Sequence, residues 1–188
     1  MNLESQQPPH GDPDDQKPAA PLKQRTPAQQ AILFIGSLAY IGFVPFASGT
    51  VTVAVVGVPL HLVLVGYLGW SWPLFAGFTV ALTLASVWIA GKTDQILNEK
   101  DCKRNVIDEL PGYFVALIGL PITWQIIVAA FFLERAIDIA KIWPANWIED
   151  HLPRGWGVVM DDVVAGIYTL IILRIALWLV PTWMGVAG

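Results

Sequence analysis

From Ala31 to Gly91 the chain carries no Asp, Glu, Lys or Arg. A charge-free run about three times the ~20 apolar residues that cross a bilayer core holds more than one membrane span. The rest of the composition agrees, since 55% of the 188 residues are hydrophobic and only 14% are charged. An ordinary soluble domain is therefore excluded. The formal charge of −4 carries little information because the charges are so unevenly spread. No basic cluster is interleaved with aromatic residues, so nucleic acid is not an expected partner. Cys102 is the only cysteine, which rules out an intrachain disulfide and a thiolate metal cluster. It sits in a segment rich in Lys and Arg, and no role is expected for it.

The first 30 residues differ from everything that follows. They contain six prolines, few apolar residues and no periodicity, and they cannot bury enough surface to offset the entropy of ordering. Residues 1–30 are expected to form a disordered tail, and 31–188 a single membrane-embedded domain. The tail also lacks the basic start and apolar core of a signal peptide.

Within the domain, Ala31–Ala47 is broken by Gly36, Gly42 and Pro45; it is marginal as a span and suits a short or re-entrant helix equally well. A first clear span runs from Thr50 to Trp70, and a second from Trp72 to Gly91. Ser71 and Trp72 open the tight turn between them, with Trp70 and Trp72 as interfacial anchors. The polar stretch that follows contains Lys92, Lys100, Lys103 and Arg104 and is expected on the cytoplasmic side. The next apolar segment has basic residues at both flanks, and Gly119-Leu120-Pro121 breaks it into a shallower hairpin. A polar loop and a last span, Val158 to Val180, complete the chain. The expected fold is all-α: a polytopic integral membrane helical bundle of about three full spans plus a shorter helical hairpin.

Between Lys92 and Asp162 stand eleven acidic and seven basic residues. Asp108-Glu109 opens the third apolar segment, Arg135-x-x-Asp138-x-x-Lys141 closes it, and Asp161-Asp162 begins the last span. Ionised groups this close to hydrocarbon are costly, and they mark function by default. Three-residue spacing on a helix puts Arg135 beside Asp138, and Asp138 beside Lys141. Ala165-Gly166 and Gly112 are small enough for another helix to approach the acids. Several carboxylates from different helices, without thiolate and with little imidazole, describe a site for a hard cation such as Mg²⁺. Acids at helix starts and snorkelling bases are the ordinary alternative, and Glu99, Lys100, Glu134 and Glu149 are assigned to it. The Ser48-Gly49-Thr50 turn could offer donors to an anion, although a plain Ser N-cap has the same appearance. His10, His61 and His151 give no signal, and Arg174 within the last span has no assigned role.

Four blocks, in order and separated by apolar spans, resemble the phosphatidylglycerophosphatase A family of bacterial membrane enzymes. They are VPFASGT (Val44 to Thr50), DCKRNVIDELPG (Asp101 to Gly112), RAIDIAKIWP (Arg135 to Pro144) and GWGVVMDDVVAG (Gly155 to Gly166). The departures are Thr52-Val53 where that family usually has a Gly-Ser pair, Ile142 in place of a proline, and Arg154 in place of a glycine. No acidic or basic position of the pattern is lost. The resemblance implies Mg²⁺-dependent hydrolysis of phosphatidylglycerophosphate to phosphatidylglycerol and inorganic phosphate. The substrate would then be a phospholipid, and the enzyme a multi-pass protein of a bacterial inner membrane with its active site on the cytoplasmic side. Asp108, Glu109, Asp161 and Asp162 are the expected metal ligands, and Asp138 is expected to ligate or to orient the nucleophile. Arg135 and Lys141 would hold the phosphate, with Ser48, Gly49 and Thr50 beside them. Metal-bound water and a carboxylate both remain open as nucleophile. A small transporter or ion-binding protein is the competing function class. A transferase acting on nucleotide-activated lipids is a further one, but its Asp-x-x-Asp-Gly-x-x-Ala-Arg pattern does not occur here.

Overall fold

The structure is a computed structural model and describes residues 25–99, 102, 104–153 and 155–186. Among these residues every regular element is helical: α1 (Pro27–Gly36), α2 (Ser48–Tyr67), α3 (Trp72–Leu97), α4 (Glu109–Leu117), α5 (Trp124–Ala140), α6 (Ala145–His151) and α7 (Gly155–Leu179). Three of them, α2, α3 and α7, are long and apolar enough to cross a membrane. The chain is thus a polytopic helical membrane protein, as its charge distribution requires.

Residues 1–24 of the expected tail lie outside the described residues. Helix α1 begins inside the other end of that tail, at Pro27, because Thr26 and Gln29 form a reciprocal capping box. The segment after α1 is irregular, with Leu38, Ala39 and Tyr40 in succession at positive φ, followed by a 3₁₀ turn at Ile41–Phe43.

Helix α2 contains two π-helical stretches, Val53–Gly57 and Leu62–Tyr67, on either side of a turn that holds Pro59. Proline removes a backbone donor and crowds the carbonyl four residues back, so a locally widened helix relieves it. In α3, Thr79 and Thr83 donate their hydroxyls to the carbonyls of Phe75 and Thr79 at 2.9 and 2.8 Å. These polar groups are satisfied within their own helix and cost little in hydrocarbon.

Helices α4 and α5 form the expected shallow hairpin. With nine residues, α4 rises only about 14 Å and cannot span a bilayer. The turn falls at the expected break, with Gly119 at φ +66°. Arg174 of α7, unassigned from sequence, donates to the carbonyls of Ile118 and Gly119 at 3.2 and 3.3 Å. It therefore caps the end of α4, whose last carbonyls have no partner further along the helix.

The short helix α4 is the buried centre of the bundle. Leu110, Tyr113, Phe114 and Leu117 are all in the core, and Phe75 and Phe78 of α3 pack on Phe114. On its other side α4 meets α7 at Gly112 and Gly166. A Cβ on Gly166 would collide with the Gly112 carbonyl, and one on Gly112 would come within 2.7 Å of the Asp162 carbonyl. Both obstacles are backbone and cannot swing aside. Gly166→Leu should therefore lower the melting temperature and the yield of folded protein, since overpacking typically costs about 1–3 kcal/mol or more. Thermal unfolding in detergent checks this.

Exposed tryptophans fall in two groups. Trp88, Trp143, Trp147 and Trp156 lie near the start of α7, while Trp72, Trp124, Trp178 and Trp183 lie toward its other end. From Trp156 to Trp178 the helix rises about 33 Å, close to the ~30 Å of a bilayer core. Aromatic residues favour such interfaces. The beginnings of α2, α4 and α7 and the ends of α3 and α5 all lie at the Trp156 end, and this is where the charged residues gather.

Candidate active site

Ser48, Gly49, Thr50, Asp108, Glu109, Arg135, Asp138, Lys141, Asp161 and Asp162 all line one open cavity of about 480 Å³. Five separate stretches of chain contribute to it. Asp161 and Asp162 sit about 8 Å along α7 from Trp156.

Arg135 is at the centre. Its Nε and Nη2 donate to the two carboxylate oxygens of Glu134 at 2.7 and 2.6 Å, a bidentate arrangement. Nη1 pairs with Glu109 and lies 3.4 Å from Asp138, while Nη2 lies 3.6 Å from Asp162. One guanidinium thus organises four carboxylates. Glu134, assigned from sequence to an ordinary interfacial role, is instead fully buried at 0% exposure. A charge there would be very costly without the fork of Arg135.

Glu109, Asp138 and Asp162 bring one carboxylate oxygen each within 4.8 Å of one another. All three donors are hard oxygens from different helices, which fits a divalent cation of the Mg²⁺ or Ca²⁺ type. Asp108 and Asp161 line the same cavity but stand outside this group of three. The small-residue contact between α4 and α7 explains the convergence, because Gly112 carries Glu109 up to the acids of α7. Gly49 has a similar part: a side chain there would occupy the position of the Glu109 carboxylate.

The spacing Asp138-x-x-Lys141 suggested that these two side chains share a helix face. They do not, because α5 ends at Ala140 and Lys141 takes a left-handed conformation at φ 44°. Its ammonium consequently turns away to Asp161, at 3.3 Å, and to Glu149. Glu149, expected outside the site, lines the cavity with the others. Partial desolvation tends to lower the Lys141 pKa, but Glu149 and Asp161 outweigh it and hold the ammonium above the ordinary lysine value. Lys141 is thus charged throughout the neutral range. A raised folded-state pKa stabilises the protein below the ordinary lysine pKa, and that contribution is lost as pH rises through the folded value. Glu149→Gln removes one of the raising groups and should shift the alkaline limb of both stability and activity to lower pH. Thermal melts and rates measured from about pH 9.5 to pH 12 in roughly half-unit steps would check this.

The Ser48-Gly49-Thr50 turn differs from a simple serine cap. Ser48 is already inside α2, and the N-cap is Ala47, at φ 46°, which has no side-chain hydrogen bond to offer. The first-turn N–H groups of a spanning helix therefore open on the cavity without a side-chain cap. Cys102 is buried, and its thiol is raised in pKa chiefly by desolvation.

A model of one protein family, phosphatidylglycerophosphatase A, matches residues 34–177. The chain belongs to the phosphatidylglycerophosphatase A family. Among named relatives, phosphatidylglycerophosphatase A of Haemophilus influenzae is 35% identical over 118 residues, which cover 62% of this chain and 71% of the relative. Phosphatidylglycerophosphatase A of Escherichia coli is 30% identical over 103 residues, 54% of this chain and 60% of the relative. A Bacteroides thetaiotaomicron protein provisionally named a phosphatidylinositol-3-phosphatase is 33% identical over 145 residues, 74% of this chain and 89% of the relative. No solved structure matches. Membership of this family makes the chain a phosphatase, and the transporter and transferase alternatives fall away.

Proposed function

We propose that this phosphatase removes the terminal phosphate of phosphatidylglycerophosphate in a Mg²⁺-dependent reaction at the cytoplasmic face of a bacterial inner membrane. The single observation that carries the proposal is the gathering of Glu109, Asp138 and Asp162 around Arg135 in a chain of this family. Glu109, Asp138 and Asp162 would hold the metal, with Asp108 and Asp161 as ligands through water. Mg²⁺ bound there would supply charge neutralisation for the phosphoryl oxygens and a more acidic water.

The chain's own residues do the rest. Lys141, kept protonated by Glu149 and Asp161, meets the negative phosphoryl group at the rim. The first-turn N–H groups of α2 and the Ser48 and Thr50 hydroxyls bind its oxygens. Arg135 holds the carboxylates in register and faces the phosphoryl group through the Nη1 edge that it shares with Glu109 and Asp138. A water then attacks phosphorus, the bond to the headgroup glycerol oxygen breaks, and that oxygen leaves as the alcohol of phosphatidylglycerol after taking up a proton. The positive-inside tendency of Lys92, Lys100, Lys103 and Arg104 supports the cytoplasmic side.

The Bacteroides relative favours a second substrate, phosphatidylinositol 3-phosphate, which is also a phosphomonoester on a lipid-borne polyol. Purified protein should release inorganic phosphate from phosphatidylglycerophosphate with Mg²⁺ and lose that activity in EDTA. Phosphatidylinositol 3-phosphate assayed in parallel separates the two. Phosphate retained on the protein after acid quench would overturn attack by water.

A further inference from the structure

Among the described residues three cationic side chains line the cavity, and two of them already have carboxylate partners: Arg135 has four and Lys141 has two. The third, Arg104, is exposed and makes no ion pair with any described residue. Its guanidinium lies over the Phe43 ring, 5.5 Å from the centroid, a contact that orients the group without neutralising it.

The backbone beneath Arg104 is held on both sides. Gly42 packs directly against the Arg104 carbonyl, so a Cβ on Gly42 would collide with it. After Arg104, the N–H groups of Val106 and Ile107 both donate to the Gly36 carbonyl, at 2.9 and 3.1 Å. A long cationic side chain on an anchored backbone, turned by an aromatic ring, presents a defined charge. Next to it the chain offers an apolar lip, with Phe43, Val44 and Phe46 all exposed. Val44 and Pro45 also line the cavity. The cavity, at about 480 Å³, is of the size that encloses a whole small-molecule ligand. A single phosphoryl group at the carboxylates would leave most of it unfilled.

Both lipids considered under the proposed function share one feature. Besides the terminal phosphomonoester they carry an internal phosphodiester, one polyol away and adjoining the acylated glycerol. We propose that Arg104 binds this internal phosphodiester, with the Phe43–Phe46 lip meeting the acylated glycerol beside it. The subsite would select lipids with both a phosphodiester and a terminal phosphomonoester over phosphatidic acid, which has the monoester alone. A planar guanidinium suits a phosphate with two free oxygens. This inference rests on the proposed lipid-phosphatase reaction and concerns a different residue from those that carry it.

The test compares wild-type protein, Arg104→Ala and Arg104→Lys in mixed detergent micelles. Phosphatidylglycerol keeps the diester and lacks the monoester, so it probes this subsite, and inorganic phosphate probes the other. In Arg104→Ala, KM for phosphatidylglycerophosphate and the inhibition constant of phosphatidylglycerol should both rise about tenfold, equivalent to roughly 1.4 kcal/mol. The turnover number and inhibition by inorganic phosphate should stay within about twofold, and preference over phosphatidic acid should shrink. Arg104→Lys should recover part of the loss. Unchanged inhibition by phosphatidylglycerol, or equal weakening of both inhibitors, would overturn the assignment. A wild-type protein that releases no phosphate from any of these lipids would instead overturn the proposed function. Binding of phosphatidylglycerol to wild type and Arg104→Ala, measured by calorimetry without turnover, still reports on Arg104 in that case.

Discussion

Asp162→Asn is expected to reduce phosphate release by roughly 100-fold or more, the scale on which loss of one preorganised electrostatic group acts. The substitution keeps the size and hydrogen-bonding shape of the side chain but removes its charge. Asp162 is 5% exposed and supplies one of the three oxygens that lie within 4.8 Å of one another. An amide oxygen is a poor substitute for a carboxylate at a hard cation. The fold itself should tolerate the change, because Arg135 keeps Glu134, Glu109 and Asp138, and because removing one acid relieves repulsion among the others. Activity and stability should therefore separate. A Mg²⁺ titration should show a higher half-saturating concentration, and the melting temperature without metal should be equal or higher. Near-normal turnover with unchanged metal dependence would remove Asp162 from the metal site.

How far the site could be anticipated depends on what each residue obeys. The spans follow from the absence of charge between Ala31 and Gly91, a one-dimensional property that needs no tertiary information. The turn at Gly119 follows from local backbone chemistry, since glycine accepts φ +66° and Pro121 cannot continue a helix. The meeting of Asp108-Glu109 with Asp161-Asp162 was legible through the small residues beside them, Gly112 and Gly166. Other features depend on three dimensions. Glu134 and Arg135 are adjacent in sequence, and adjacent helical residues do not normally face each other. Only the curl of a long arginine fork back onto its neighbour pairs them, and no periodicity encodes that. Lys141 escaped a spacing rule because α5 stops one residue before it. Glu149 reaches it across a loop and a short helix, α6, that read as merely polar. The Ser48 turn looked like a cap because serine usually is one, whereas the left-handed Ala47 moves the cap one residue back.

Arg135→Ala should be the most disruptive single change in the molecule. It removes the only cation that touches Glu134, Glu109, Asp138 and Asp162 together among the described residues. Glu134 is then left, fully buried, with no cation among the described residues, and breaking a buried pair from one side typically costs roughly 3–5 kcal/mol. Activity should be lost along with stability, so the informative readout is how each recovers. Glu134→Gln combined with Arg135→Ala removes the stranded charge and should regain much of the melting temperature while remaining inactive. Arg135→Lys restores one positive charge but cannot reproduce the two parallel bonds to Glu134, so its recovery should be partial in both. Divalent cations should raise the melting temperature of Arg135→Ala more than that of wild type, because the acids that lose their arginine become available to a metal. Melting curves of the four proteins, with Mg²⁺ and with EDTA, measure every one of these differences. A melting temperature for Arg135→Ala equal to wild type would show that the guanidinium does not hold these carboxylates together, and the site would then need another organising charge.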